Sequence, residues 1–271
     1  MKEKILLLGS TGLVGRTLRE ALGEDYQVIP AAGRRMPEGG YCLPAEEPER
    51  TLKVLGRENP DIVISTIRGD YGAQMIFHKK LAERLAGKGK RLLYVSTANV
   101  FDGDLSRPWT EADLPVPESD YGVFKRDCED MLREKLGRQL IIFRLAAVWS
   151  PDCPRVSLLK AHSQSGEPHH TWRGDAVNVT LAQQIGDYAK YVLAHDLRGI
   201  FHVGTTDTVD HDAFERKVCE SLRIEPPPFE IEEVTPQAYQ AVLPARKEIP
   251  AGLQLTAAQV LEALKRPAAQ R

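Results

Sequence analysis

Tyr121 and Lys125 lie four residues apart in a stretch with helical apolar spacing, so the phenol and the amine share one face, a turn apart. No other Tyr-x-x-x-Lys occurs in the chain. A hydride added to a carbonyl leaves an alkoxide that must take a proton. A phenol with its ordinary pKa of about 10 gives that proton poorly at neutral pH. A neighbouring ammonium and a positively charged nicotinamide favour the phenolate and bring the pKa down. Thr97 ends a strand one loop earlier, and its hydroxyl can fix the carbonyl oxygen. Thr97, Tyr121 and Lys125 are therefore the expected catalytic trio, with Lys125 tuning Tyr121.

A second set of residues suits a dinucleotide. Lys4-Ile5-Leu6-Leu7-Leu8 is an unalternated apolar run and reads as a strand buried on both faces. Leu13, Val14, Leu18 and Leu22 then recur at helical spacing. Between them stands Gly9-Ser10-Thr11-Gly12-Leu13-Val14-Gly15. Gly9 permits the tight turn, Gly12 clears the approach of a pyrophosphate, and Gly15 lets the helix pack on the strand. The free N–H groups of that helix end face the phosphates. The next strand, at 26–30, runs into Ala31-Ala32-Gly33-Arg34-Arg35. An acid here would bind the ribose hydroxyl of NAD. Arg34 and Arg35 instead favour the 2′-phosphate of NADPH, with NADH as the second choice. The expected cofactor contacts are Gly9, Ser10, Thr11, Gly12, Leu13, Val14, Arg34, Arg35, Ser65, Thr66 and Ile67, together with Tyr121 and Lys125.

The elements that must position these groups alternate. Helices are expected at 46–58, 73–86 and 119–136, and strands at 61–66, 91–97 and 139–145. Such alternation implies a doubly wound parallel sheet, an α/β Rossmann fold, with its ligand crevice at the carboxyl ends of the strands. From about residue 150 the pattern loosens: Pro151, Pro154 and Gly166-Glu167-Pro168 break the chain into short pieces. The helix 180–194 and the strand 200–203 read as returning to the main body. Helices at 212–222 and 256–264 follow, and 267–271 reads as a frayed tail. The expected organisation is a nucleotide-binding domain of residues 1–149 plus 180–204, and a smaller discontinuous lobe of 150–179 plus 205–271.

Ser96-Thr97-x-x-Val100-Phe101-Asp102-Gly103 is followed by Pro108-Trp109-x-Glu111 and by Tyr121-Gly122-x-x-Lys125-x-x-x-Glu129. An apolar strand then ends in Arg144. This ordered set, with the three-residue glycine period, resembles the extended short-chain dehydrogenase/reductases, and within them the dTDP-4-dehydrorhamnose reductase group. The resemblance implies an NADPH-dependent reductase of a nucleotide-linked 4-keto-6-deoxy sugar. It gives Thr97, Tyr121 and Lys125 the roles above and adds the nicotinamide ribose to Lys125. It places Ser96, Asn99, Val100, Phe101, Ala147 and Trp149 toward the substrate.

There are departures. Arg144-Leu145-Ala146-Ala147-Val148 stands where the group has Arg-Thr-Ser-Trp-Val, so its substrate-packing Trp is Ala147. Cys42 replaces an Asp near the adenine. Ser65-Thr66-Ile67-Arg68 replaces an Asn-Ala-Ala loop. Two other readings stay open. One is an epimerase or dehydratase with tightly held NAD, against which Arg34-Arg35 speaks. The other is a non-catalytic regulatory subunit like the methionine adenosyltransferase β subunit, which resembles this family.

Composition narrows the classes further. At 271 residues with formal charge −2, both signs are mixed, and no basic footprint argues for nucleic acid. No apolar run is long enough to span a bilayer, and the opening residues leave no room for a signal peptide. Cys42, Cys128, Cys153 and Cys219 are scattered and read as free thiols of a cytoplasmic protein. No cluster has metal-ligand spacing. Trp109 and Trp149 read equally as pocket or core, and His169-His170 with Trp172 as a solvated loop, the alternative being contact with a diphosphate or a sugar. A homodimer is left open.

Overall fold

The computed structural model describes residues 2–265. The tail at 267–271 lies outside them. The elements begin with β1 (Lys4–Leu8), α1 (Leu13–Leu22), β2 (Gln27–Ala32), β3 (Tyr41–Cys42), α2 (Pro48–Glu58), β4 (Ile62–Ser65) and α3 (Tyr71–Leu85). They continue with β5 (Arg91–Thr97), α4 (Asp120–Leu136), β6 (Leu140–Leu145), β7 (Ala147–Trp149), α5 (Pro154–Ser165), β8 (His169–Val177) and β9 (Val179–Leu181). The last are α6 (Ala182–Ala194), β10 (Gly199–Val203), β11 (Val209–Asp210), α7 (His211–Leu222), β12 (Phe229–Gln240) and α8 (Ala257–Leu264).

Seven strands form a wholly parallel sheet in the order β10-β6-β5-β4-β1-β2-β3. Helical crossovers cover both faces, which is why its strands are unbroken apolar runs. Leu6, Leu8, Val63 and Leu92 pack with Val54, Phe77, Leu81, Phe124 and Leu132 of α2, α3 and α4. The alternate residues Ile5, Leu7, Ile64 and Leu93 pack with Leu18, Leu22, Ile185, Tyr188 and Val192 of α1 and α6. Strand order reverses at β1, with β2 on one side and β4 on the other. The crevice at such a reversal, outside the carboxyl ends, is where these sheets take ligands.

A third core joins Trp149 and Leu159 to Phe214, Val218, Val260 and Leu264, beside the small sheet β11-β8-β12. Here the structure departs from the expected short pieces. Pro154 does not break a helix; it starts α5, where a missing N–H costs nothing. Gly166, at φ +74°, ends that helix. β12 carries no clear strand signal because most of its residues are exposed and its charges alternate with apolar residues along the sheet edge. Among the described residues no helix is long and apolar enough to cross a membrane. All four cysteines are free thiols.

Candidate active site

The turn after β1 is held by its backbone. The Gly9 and Ser10 N–H groups both donate to the Ala31 carbonyl at 2.9 Å, hooking the turn onto β2. Gly9 has φ +82°, which an L side chain rarely adopts. A Cβ on Gly15 would stand 2.1 Å from the Gly9 carbonyl oxygen, so α1 reaches its place only without one. From the other side the Thr66 hydroxyl donates to the carbonyls of Leu8 (3.0 Å) and Gly9 (3.2 Å). Gly12 caps α1 without a side-chain acceptor, so the first-turn N–H groups are left for a ligand. The Ser10 hydroxyl is buried there with no hydrogen-bond partner. This cradle fits a diphosphate.

The second half of the site is the corner where α4 meets the end of β5. Asp102 builds it. Its carboxylate accepts from the backbone N–H of Glu118 (2.7 Å) and Ser119 (3.2 Å) and from the Ser119 hydroxyl. Burial opposes ionisation of Asp102, but the Ser119 and backbone hydrogen bonds outweigh it and hold the carboxyl below its ordinary value. Ser119 in turn caps α4, accepting from the Gly122 N–H at 3.0 Å. Gly122 is then pressed onto the turn after β5: a Cβ there would lie 2.2 Å from the Asn99 carbonyl oxygen. Farther along α4, Glu129 forms a fully buried ion pair with Arg144 of β6 (Nη2···Oε2 2.6 Å, Nε···Oε1 3.1 Å). These contacts set the height and rotation of α4.

They bring Tyr121 to Thr97. Tyr121 comes close enough to Thr97 for that hydroxyl to favour the phenolate, and Thr97 donates to the Asn99 side-chain oxygen at 2.9 Å. Lys125 goes elsewhere. Its ammonium is buried and donates to the Tyr94 hydroxyl (3.0 Å) and the Val95 carbonyl (2.7 Å), and lies 6.0 Å from the centre of the Tyr121 ring. Burial lowers the Lys125 pKa to about 8, against the pull of Cys128 and Glu129. Burial raises the Tyr121 phenol above its ordinary value, and the Arg68 guanidinium and the Thr97 hydroxyl bring it partly back.

The other expected residues divide. Arg34 and Arg35 are exposed just past β2 and have no ion-pair or hydrogen-bond partner among the described residues. Thr11 is exposed, Leu13 and Val14 are half-buried, and Ile67 packs on the core cluster that Tyr121 also touches. The Ser65 hydroxyl is taken by His78 Nε2 at 2.9 Å. The His78 Nδ1–H donates to the Gln74 carbonyl, and burial lowers this histidine to about 3, so the ring is neutral. Ser96 is buried with an unpartnered hydroxyl, and Asn99 is exposed. Val100 and Phe101 pack with Trp109 and Ala146, and Trp149 is buried edge-on to Phe214 at 5.2 Å. These three substrate candidates are packing residues, because their side chains have no free surface to offer. Ala147 is half-buried against the third core. Among the described residues no three His, Cys, Asp or Glu side chains could hold a metal ion.

Tyr94, Tyr71 and Arg68 have no marked role in the sequence reading. Tyr94 reads there only as a strand residue. Tyr71 falls just before the expected helix start at 73, yet α3 begins at Tyr71 because Asp70 caps it, accepting from the Ala73 N–H at 2.8 Å. The Gly69-Asp70 pair is the signal that locates that start.

A family model described as the RmlD substrate binding domain matches residues 3–270. The dTDP-4-dehydrorhamnose reductase of Burkholderia thailandensis is 25% identical over 271 aligned residues, covering 90% of this chain and 88% of that protein. The methionine adenosyltransferase 2 subunit beta of Rattus norvegicus is 28% identical over 152 residues, covering 51% of this chain and 45% of that protein. Among solved structures, a dTDP-4-dehydrorhamnose reductase from Bacillus anthracis in complex with NADP superposes with a TM-score of 0.80. It is 19% identical and covers 97% of this chain and 99% of that one, a likeness of fold.

Proposed function

Because the chain belongs to the RmlD substrate-binding-domain family, we propose that it is an NADPH-dependent reductase of a nucleotide-linked 4-keto-6-deoxy sugar of the dTDP-4-dehydrorhamnose type. The observation that carries the reading is Tyr121, in the first turn of α4, standing near Thr97 at the end of β5, on the same sheet edge as the glycine cradle. The backbone N–H groups of Thr11, Leu13 and Val14 would hold the diphosphate, since those of Gly9, Ser10 and Gly12 are taken by backbone carbonyls; Arg34 and Arg35 would hold the 2′-phosphate, Thr66 and Ile67 the span between, and Lys125 a ribose hydroxyl. Bound NADPH supplies the hydride that goes to the carbonyl carbon. The Thr97 hydroxyl, which donates to the Asn99 side chain in the free protein, would turn to donate to and orient the carbonyl oxygen. Tyr121 gives its proton to that oxygen as charge develops there, and the sugar leaves as the alcohol. Lys125, bonded to Tyr94 and Val95, is a fixed part of the floor that sets Tyr121 in place.

The test is NADPH oxidation with dTDP-4-dehydrorhamnose as substrate, wild type against Tyr121→Phe. The expected result is a fall in kcat of about 10²–10⁴-fold with unchanged NADPH affinity. Turnover that survives the substitution removes Tyr121 as proton donor.

The second reading, a nucleotide-binding regulatory subunit, is favoured by the match to the methionine adenosyltransferase subunit and by Ala147 in place of an aromatic residue. Stoichiometric capture of a partner enzyme, with no NADPH oxidation across a panel of keto sugars, would establish it instead.

A further inference from the structure

Tyr94 stands where an apolar side chain would serve the core as well. It is 1% exposed and packs among Leu92, Ile142 and Phe124. A phenol hydroxyl in such surroundings is costly unless it is bonded. Here it accepts from the Lys125 ammonium at 3.0 Å. Burial raises the Tyr94 pKa well above its ordinary value, so the acceptor is a neutral phenol.

Tyr94 is itself fixed. The His78 ring stands edge-on to it, 5.0 Å away and at 82°. His78 is held at both nitrogens, by the Ser65 hydroxyl (2.9 Å) and the Gln74 carbonyl (2.7 Å). Ser65 ends β4 beside Tyr94 in the sheet register, whereas β5 runs on to Thr97. At that point Lys125 ties α4 to β5, through Tyr94 and through the Val95 carbonyl at 2.7 Å. The remaining charged or titratable groups around Lys125 are Cys128 and Glu129 of its own helix, Arg68 from the segment after β4, and the neutral His78 of α3. Glu129 is already paired with Arg144.

An ammonium has three N–H donors in a tetrahedral arrangement. Two of those on Lys125 are committed, to Tyr94 and Val95. With two directions set, the third is set as well, and it has no acceptor among the described residues. We propose that Tyr94 is a positioning residue of this site: its hydroxyl and the Val95 carbonyl hold two N–H groups of Lys125 so that the third is presented to the nicotinamide ribose. Tyr94 is too deeply buried to meet cofactor or substrate and acts through Lys125. The ribose contact is part of the reductase reading; the bond between Tyr94 and Lys125 is independent of it.

Tyr94→Phe isolates the hydroxyl, because the ring that lies 4.4 Å from the ammonium is kept. The full chain carrying lysine labelled with ¹³C at Cε is titrated by NMR, with Lys125→Met identifying the resonance. The variant removes an acceptor from the charged form. The Lys125 midpoint, already lowered to about 8 by burial, is therefore expected to fall further, by about half a pH unit or more. NADPH affinity, measured without substrate, is expected to weaken about three- to tenfold. The Tyr121 titration is followed from ¹³C at Cζ of labelled tyrosine, with Tyr121→Phe identifying its resonance. It is expected to stay put, because Lys125 has lost its charge before that raised phenol titrates. An unmoved Lys125 midpoint or unweakened NADPH binding overturns the proposal. So does a Tyr121 midpoint that shifts alongside, since the whole corner would then have loosened. If dTDP-4-dehydrorhamnose is turned over, the KM for NADPH rises with kcat nearly unchanged, and a loss confined to kcat counts against the proposal. A wild type inactive on every keto sugar, with the Lys125 shift and the weakened binding both present in the variant, would sink the reductase reading and leave the Tyr94 assignment standing.

Discussion

At the glycine turn, position is secured by what is missing. A Cβ on Gly15 would meet the Gly9 carbonyl at 2.1 Å, and no side chain caps α1. At the Tyr121 corner, position is secured by side chains engaged with one another: Asp102 with Ser119, Glu129 with Arg144, Lys125 with Tyr94. Both face one crevice. The difference follows from what each must hold. A diphosphate is bound by backbone N–H groups, which need closeness and little else. A proton donor needs one hydroxyl at one place with a tuned pKa, and that takes a rigid, bonded surround.

The largest effect is expected where the corner's bonding is broken outright. Glu129→Ala leaves Arg144 charged, fully buried and unpaired, a loss of about 3–5 kcal/mol in chemical denaturation. A loss below about 1 kcal/mol would show that apolar packing, and not the pair, holds α4.

Next come two matched glycine changes that separate the regions. Gly15→Ala and Gly122→Ala each force a Cβ into a carbonyl oxygen, at 2.1 Å and 2.2 Å, and each should cost about 1–3 kcal/mol. Their functional signatures should diverge. Gly15→Ala weakens NADPH binding and leaves the Tyr121 titration alone. Gly122→Ala moves that titration and leaves NADPH binding alone. Identical signatures would mean the two regions act as one unit.

The last effect is a slope with pH and concerns Lys125. Its pKa falls to about 8 in the fold from 10.5, so between these values the unfolded chain binds more protons than the folded one. Stability from this group therefore rises with pH across that window. The unfolding free energy of wild type minus that of Lys125→Met should climb from pH 8 to pH 10.5. A flat difference would mean that Lys125 titrates as it does in water.

Much of this was legible in the sequence wherever the physics is local. β1 and its glycine turn follow from an apolar run and from three positions that tolerate no side chain. The helix of Tyr121 and Lys125 follows from its spacing and its Ser119 cap. The pairing of Glu129 with Arg144 was visible only as two letters in a motif, since strand and helix must pack before either charge has a partner. The stretch after residue 150 was obscure because Pro154 starts a helix as readily as it breaks one. Trp149 shows the converse. Its letter fits pocket and core alike, and burial decides for the core.

The chain alone therefore determined the sheet, the cradle and the identity of the candidate trio, because periodicity, glycine and capping act over a few residues. Tertiary structure decided which charge faces which hydroxyl. Lys125 is one helical turn from Tyr121 in sequence, yet the packing of α4 on the sheet bonds it to Tyr94 and Val95 of β5. Electrostatic influence depends on distance and burial in space, and neither is written in the spacing of the letters.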